Sequence, residues 1–149
     1  MHHSAKINCK HFLNTYKKYY NNPKIVDIGS LDVNGSLKDL IDFECEYIGV
    51  DLINGKNVDI ILKNSYSLPF ENESVDIILC SSVFEHDIFF WETYIEILRV
   101  LKPNGLFYLN VPSNGKYHAH PLDCWRFYPD SGYALIKWAE TKKLTPIIL

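Results

Sequence analysis

The strongest constraint on this chain is a series of short aliphatic runs, each closed by a small or polar residue. Lys24-Ile25-Val26-Asp27-Ile28 stops at Gly29, Tyr47-Ile48-Gly49-Val50 at Asp51, and Val75-Asp76-Ile77-Ile78-Leu79-Cys80 at Ser81. Val58-Asp59-Ile60-Ile61 is a weaker run, and Leu106 to Val111 a fifth. Aliphatic runs without internal turn residues predict strands covered on both faces, as in parallel sheets. Between them, residues 8–20 place Phe12, Leu13, Tyr16 and Tyr20 near helical spacing, with Asn21-Asn22-Pro23 as the stop. Ser36–Ile41 predicts a short helix. Residues 88–101 carry Phe90, Tyr94, Ile97, Leu98 and Leu101 on one side, ahead of Pro103-Asn104-Gly105. Asp130 and Ser131 suit the N-cap of a helix reaching about Lys143, and Pro146-Ile147-Ile148-Leu149 predicts the start of a sixth strand. Strands alternating with helices over short connections give an α/β fold: a doubly wound, mostly parallel sheet with helices on both faces.

At 149 residues, one domain is expected. No apolar run approaches the ~18 residues of a membrane-spanning helix, and Met1-His2-His3-Ser4-Ala5-Lys6 begins no signal-peptide apolar region. A net charge of −3 offers no electrostatic footprint for nucleic acid or for anionic lipid. Cys9, Cys45, Cys80 and Cys124 form no CxxC pair, so reduced thiols and a cytoplasmic location are expected, with Cys80 in the core.

In an open parallel sheet, ligands bind beyond the carboxyl ends of the strands, where the strand order reverses. Gly29 after the first strand admits close backbone approach, and Asp51 at the end of the second is placed to accept hydrogen bonds from two ribose hydroxyls. Glycines also end strands for structural reasons alone. Of the G-x-G-x-x-G dinucleotide fingerprint only Gly29 and Gly35 are present. Leu31 and Asp32 fill the turn, and an aspartate there repels phosphate. NAD, FAD and ATP are therefore disfavoured, whereas a cofactor with a ribose and no phosphate is compatible.

Six segments occur in the order and spacing of the class I S-adenosylmethionine (SAM)-dependent methyltransferases. They are Ile25-Val26-Asp27-Ile28-Gly29-Ser30, Tyr47-Ile48-Gly49-Val50-Asp51-Leu52, Ser67-Leu68-Pro69-Phe70, Val75 to Cys80, Phe84-Glu85-His86 and Arg99 to Gly105. The chain resembles the small-molecule, type 11-like branch, whose glycine turn reads D-x-G-S-x-D-V-N-G. The resemblance implies a Rossmann-like sheet and SAM as cofactor. Asp27, Gly29 and Ser30 would lie at the methionine end of SAM, and Asp51 at the ribose. Leu52 would lie on the adenine face, and Asn64 and Ser65 at the adenine edge. Ser82 and Val83 would border the sulfonium, with His86 at the mouth. Residues 1–22 are then an N-terminal helical segment, 23–111 the cofactor-binding core, and 112–149 a substrate-facing loop, helix and start of a strand. The family's sheet has seven strands, so the C-terminal hairpin is expected to be lacking, through truncation, a natural minimal form or completion by a second copy in a homodimer.

Two histidines, an aspartate, an arginine and four aromatics crowd between Tyr117 and Tyr128. His118 or His120 could take a proton from an acceptor hydroxyl, with Asp123 orienting an imidazole and Arg126 holding an anionic group of the substrate. The plainer reading is a structural loop, with Trp125 and Phe127 plugging the core and Arg126 in a salt bridge. The density of polar groups favours function. His118, His120 and Asp123 are also metal-ligand types, but no metal is expected. His86 could instead cap a helix. Asp76 is read as structural. The expected activity is SAM-dependent methyl transfer to a small molecule, with sugar or surface-glycan precursors leading. The alternatives are a SAM-binding module without turnover, stable as an oligomer, and, less favoured, a nicotinamide-linked oxidoreductase.

Overall fold

The computed structural model describes residues 3–149; Met1 and His2 lie outside the described residues. Five strands form one sheet: β1 (Lys24–Ile28), β2 (Glu46–Asp51), β3 (Ile60–Ile61), β4 (Val75–Ser81) and β5 (Leu101–Asn110). Their order is β3-β2-β1-β4-β5 and every pairing is parallel. The direction of winding reverses between β1 and β4, which places the switch-point crevice beyond Ile28 and Ser81.

Alternation along the strands loads both faces. Val26, Ile28, Ile78 and Cys80 enter one core cluster with Tyr94, Ile97 and Val100 of α2 (Phe90–Val100) and Leu135 and Ala139 of α3 (Ser131–Thr141). Ile25, Ile77 and Leu79 enter the other, with Cys9 and Leu13 of α1 (His3–Tyr16). In α2 the buried positions Thr93, Tyr94, Ile97 and Val100 recur at helical spacing, so one stripe drives its docking. Among the described residues no helix is long and apolar enough to cross a membrane.

Four expectations change. The helix expected at Ser36–Ile41 is a single 3-10 turn, Lys38–Leu40, because the Ser36 hydroxyl takes the Lys38 amide at 3.0 Å and offers the backbone another partner. β5 starts directly after α2, and its Pro103-Asn104-Gly105 turn is absorbed as a register break opposite Val75 and Ile77. Asp130 stands at the N-cap of α3 without a capping side-chain bond. Among the described residues no sixth strand forms. The 144–149 tail is irregular, Ile147 and Leu149 are exposed, and Ile148 folds back beside Gly132 in the first turn of α3.

One side chain ties the loop after β3 to α2. Arg99 donates to both carboxylate oxygens of Glu96 (2.8 and 2.7 Å), to the Leu68 and Phe70 carbonyls (3.1 and 3.0 Å) and to Asn72 (2.7 Å). Glu96 in turn accepts the Leu68 amide at 2.7 Å. Only a planar guanidinium fork serves these acceptors together. Arg99→Lys is therefore expected to destabilise the protein by about 2–3 kcal/mol although the charge is kept, measured as a lowered urea midpoint at unchanged slope.

Candidate functional site

The loop after β1 is drawn against β2. The amides of Gly29 and Ser30 both donate to the Val50 carbonyl (2.9 and 3.2 Å), and Gly29 takes a φ of 76°, in the left-handed region. A Cβ there would stand 2.3 Å from Val83 Cγ2, so a side chain at this position would strike the loop after β4. Asp51 closes β2 with its carboxylate held by the amides of Leu31 and Ile53, both at 3.1 Å. Beside it Leu52 and Ile53 are exposed, offering an apolar platform of which the sequence pointed to only Leu52. Asp32 bonds Lys56 Nζ at 2.5 Å and the Gly35 amide at 2.7 Å, which lowers its pKa. Its charge is neutralised, and it staples the turn.

Asp27 is buried, receives the Tyr47 hydroxyl at 2.7 Å, and is pushed up to about 7 by desolvation, against the pull of that hydrogen bond. Ser30 does not face the open edge. Its hydroxyl is buried without a partner beside Gly49, where a Cβ would lie 2.7 Å from it. The side chains of Asn64 and Ser65 are also engaged within the protein: Asn64 accepts the Tyr66 amide at 2.9 Å, and Ser65 donates to Asp87 at 3.1 Å. Ser82 has a φ of 58° and donates its amide to Asn110 at 2.9 Å, leaving its side chain in solvent beside Val83.

The segment after β5 hangs on Glu85 and Asp87, neither of which the sequence reading gave a role. The Glu85 carbonyl accepts the amides of Cys124 (2.7 Å) and Trp125 (3.2 Å), and the Asp87 carbonyl accepts the Trp125 indole N–H at 2.8 Å. The Asp87 carboxylate gathers the hydroxyls of Ser65, Tyr66 and Thr93 and the Phe89 amide. An acid just ahead of a helix was the available signal. Trp125 and Phe127 stack edge-on against Phe90, with centroids 5.4 and 4.9 Å away, which is the plugging role.

The four expected catalytic residues divide into two pairs. Arg126 grips Asp123 through both guanidinium nitrogens (2.5 and 2.8 Å), and Asp123 also accepts the His118 amide at 2.7 Å. The Arg126 guanidinium holds the Asp123 carboxyl far below the usual carboxylate range. This closed pair is a loop staple, so Arg126 is not a free anion clamp. The His118 ring nitrogen is 3.5 Å from Asp123, so Asp123 serves the loop backbone rather than orienting an imidazole by a short bond. His118 and His120 instead turn toward His86, with ring centroids 5.1 and 6.3 Å from it. His86 does not cap α2; its Nδ1 bonds the Leu122 carbonyl at 2.5 Å. Glu85 lies beneath this group, almost fully buried, with burial raising its carboxyl above the ordinary value against the pull of its own backbone amide and of the Arg126 charge.

Residues 26–109 match the family described as a methyltransferase domain. The chain belongs to that family. An uncharacterised methyltransferase-like protein of Schizosaccharomyces pombe is 47% identical over 49 residues, 33% of this chain and 19% of the relative. The YcgJ protein of Bacillus subtilis superposes with a TM-score of 0.66 at 19% identity, over 87% of this chain and 66% of that one. A Burkholderia thailandensis 1,6-didemethyltoxoflavin-N1-methyltransferase, solved with its namesake compound and S-adenosylhomocysteine (SAH), gives 0.70 at 14% identity, over 97% of this chain and 69% of that one. The fold is the Rossmann-like one of SAM-dependent methyltransferases, and SAM is the cofactor that fold and family call for. The chain's own groups fit it: a backbone without a Cβ at Gly29, an oriented carboxylate at Asp51 and an exposed apolar pair beside it.

Asp27 makes a pH prediction. Its folded value lies above the ordinary 3.8, so its contribution to stability is fully present below about pH 4 and lost as pH rises to about 7. Asp27→Asn is expected to remove that slope and to be the more stable protein at pH 8, by up to roughly 4 kcal/mol. Urea titrations of both proteins at pH 5 and pH 8 measure it.

Proposed function

We propose that this chain binds SAM across the ends of β1, β2 and β4 and transfers its methyl group to a hydroxyl of a small molecule, with sugar or surface-glycan precursors as the leading class. The observation that carries the reading is Asp51, whose carboxylate is aimed by two backbone amides while lone pairs remain for a ribose diol. When bound, SAM supplies an electrophilic methyl group on a sulfonium, which an acceptor lone pair attacks as the carbon–sulfur bond breaks toward sulfur. Asp27 sits at the strand end where the resemblance puts the methionine ammonium, and a cation there favours its ionised form. Val83 bounds the reacting end, and Leu52 with Ile53 offers the adenine a face.

His120 is the proposed proton acceptor for the hydroxyl. It lies exposed on the segment that Glu85 and Asp87 anchor to the loop after β4, and neither Asp123 nor Arg126 engages its side chain. The Burkholderia relative holds a small molecule together with SAH, which supports an acceptor of that size. The density of polar groups in the His118–Tyr128 segment supports the sugar class. We place the reaction in a single domain in the cytoplasm, with a homodimer as the expected assembly. A SAM-binding module without turnover is the second reading, favoured by the internal Asp123–Arg126 pairing, which removes two of the four candidate groups from chemistry.

Calorimetric titration with SAH separates these readings from no cofactor site at all. One SAH per chain is expected, weakened by about 2–4 kcal/mol in Asp51→Ala through loss of two charge-assisted hydrogen bonds. His120→Ala should keep SAH affinity and lower turnover by about 10²–10⁴-fold if it is the base. SAH binding that ignores Asp51→Ala overturns the assignment.

A further inference from the structure

Three ligand-type side chains converge where the loop after β4 meets the segment that folds back from β5. They are the Glu85 carboxylate and the imidazoles of His86 and His118, whose ligand atoms all lie within 4.8 Å of one another. We propose that Glu85, His86 and His118 form a binding site for one divalent cation of the zinc class.

The first support is the state of Glu85. The residue is 1% exposed, and its Oε2 has no hydrogen-bond partner. A carboxylate removed from water is strongly disfavoured unless a cation or donors face it. Its own backbone amide reaches the carboxylate, but Oε2 has no donor: His86 Nε2 stands 3.8 Å from Oε1, beyond hydrogen-bond reach, and the Arg126 fork closes on Asp123.

The second support is the tautomer of each ring. His86 Nδ1 is 2.5 Å from the Leu122 carbonyl oxygen, and His118 Nδ1 is 3.1 Å from the Lys116 carbonyl oxygen. A carbonyl only accepts, so each neutral ring carries its proton on Nδ1 and presents a lone pair at Nε2. Ligating histidines are ordinarily fixed in this way, by an outer partner on the other nitrogen.

The ligand set then selects the ion. One carboxylate oxygen and two imidazole nitrogens suit zinc sites that keep a fourth position open, and also Fe(II) and Mn(II), but not calcium or magnesium cages. Metal–ligand bonds of about 2.0–2.1 Å in tetrahedral geometry put ligand atoms about 3.4 Å apart. Glu85 and His86, at 3.8 Å, need only a few tenths of an ångström, and His118 sits on an exposed loop that can close the remainder. Asp123, the carboxylate the sequence paired with His118 and His120, is excluded because both its oxygens are held by Arg126 and the His118 amide. The open position would take water or an acceptor oxygen, and that last role alone rests on the methyl-transfer reading.

The test is calorimetric titration of the metal-free chain with Zn²⁺ alone, with SAH titrated in parallel. One Zn²⁺ per chain is expected, with affinity lowered at least ten-fold by Glu85→Gln and by His118→Ala, and unchanged in Cys124→Ser. His118 is exposed, so His118→Ala remains informative if Glu85→Gln fails to fold. Absence of stoichiometric binding overturns the proposal, as does binding that survives His118→Ala unchanged. Zn²⁺ bound without SAH would remove the cofactor reading and keep the cation site; SAH bound without Zn²⁺ would do the reverse.

Discussion

The site depends on one close approach at the point where the sheet reverses its winding. β1 and β4 are neighbours in the sheet but not in sequence, and the loops leaving them meet with Gly29 against Val83. Glycine at 29 serves two needs at once: a φ of 76° and the absence of a Cβ where Val83 Cγ2 lies. Because Gly29 and Ser30 both donate to Val50, the turn is also fixed to β2. The carboxylate of Asp51 is aimed from the same place, since one of its two amide partners belongs to Leu31 in that turn.

Around this point the chain uses main-chain acceptors of one short segment to hang a second layer. The carbonyls of Glu85 and Asp87 hold the backbone and indole of residues 124–125, and the Asp87 carboxylate simultaneously ties down the loop after β3 through Ser65 and Tyr66. Two loops distant in sequence thus share one buried anchor. The histidines of the returning segment are carried toward His86 by this backbone attachment, while Asp123 and Arg126 lock the segment's own shape.

Strands and main helices were legible because they repeat a simple period. Val75–Cys80 could hardly be anything but a buried strand, and the stripe through Tyr94 and Ile97 could only face a core. The positions of Gly29 and Asp51 were legible too, because strand ends of a parallel sheet are where such residues act. What sequence could not show was pairing between side chains. Arg126 reads equally well as an anion clamp or a staple until Asp123 is seen in its fork, and Ser30 reads as a ligand until its hydroxyl is found under β2. Glu85 was hidden for the opposite reason: a carboxylate beside a histidine looks like a solvated surface, and only its burial reveals otherwise. The tail failed as a strand because three apolar residues after a proline carry no information on whether a sheet edge is within reach.

The most direct test of the account is an amide-resolved NMR titration of the chain with SAH. Shifts are expected to concentrate at Gly29, Ser30, Leu31, Asp51, Leu52, Ile53, Ser82 and Val83, with α1 and the 144–149 tail unmoved. Shifts centred instead on the aromatic groove of Trp91, Trp125 and Trp138, or no shifts in a folded sample, would contradict a cofactor site at the reversal point of the sheet.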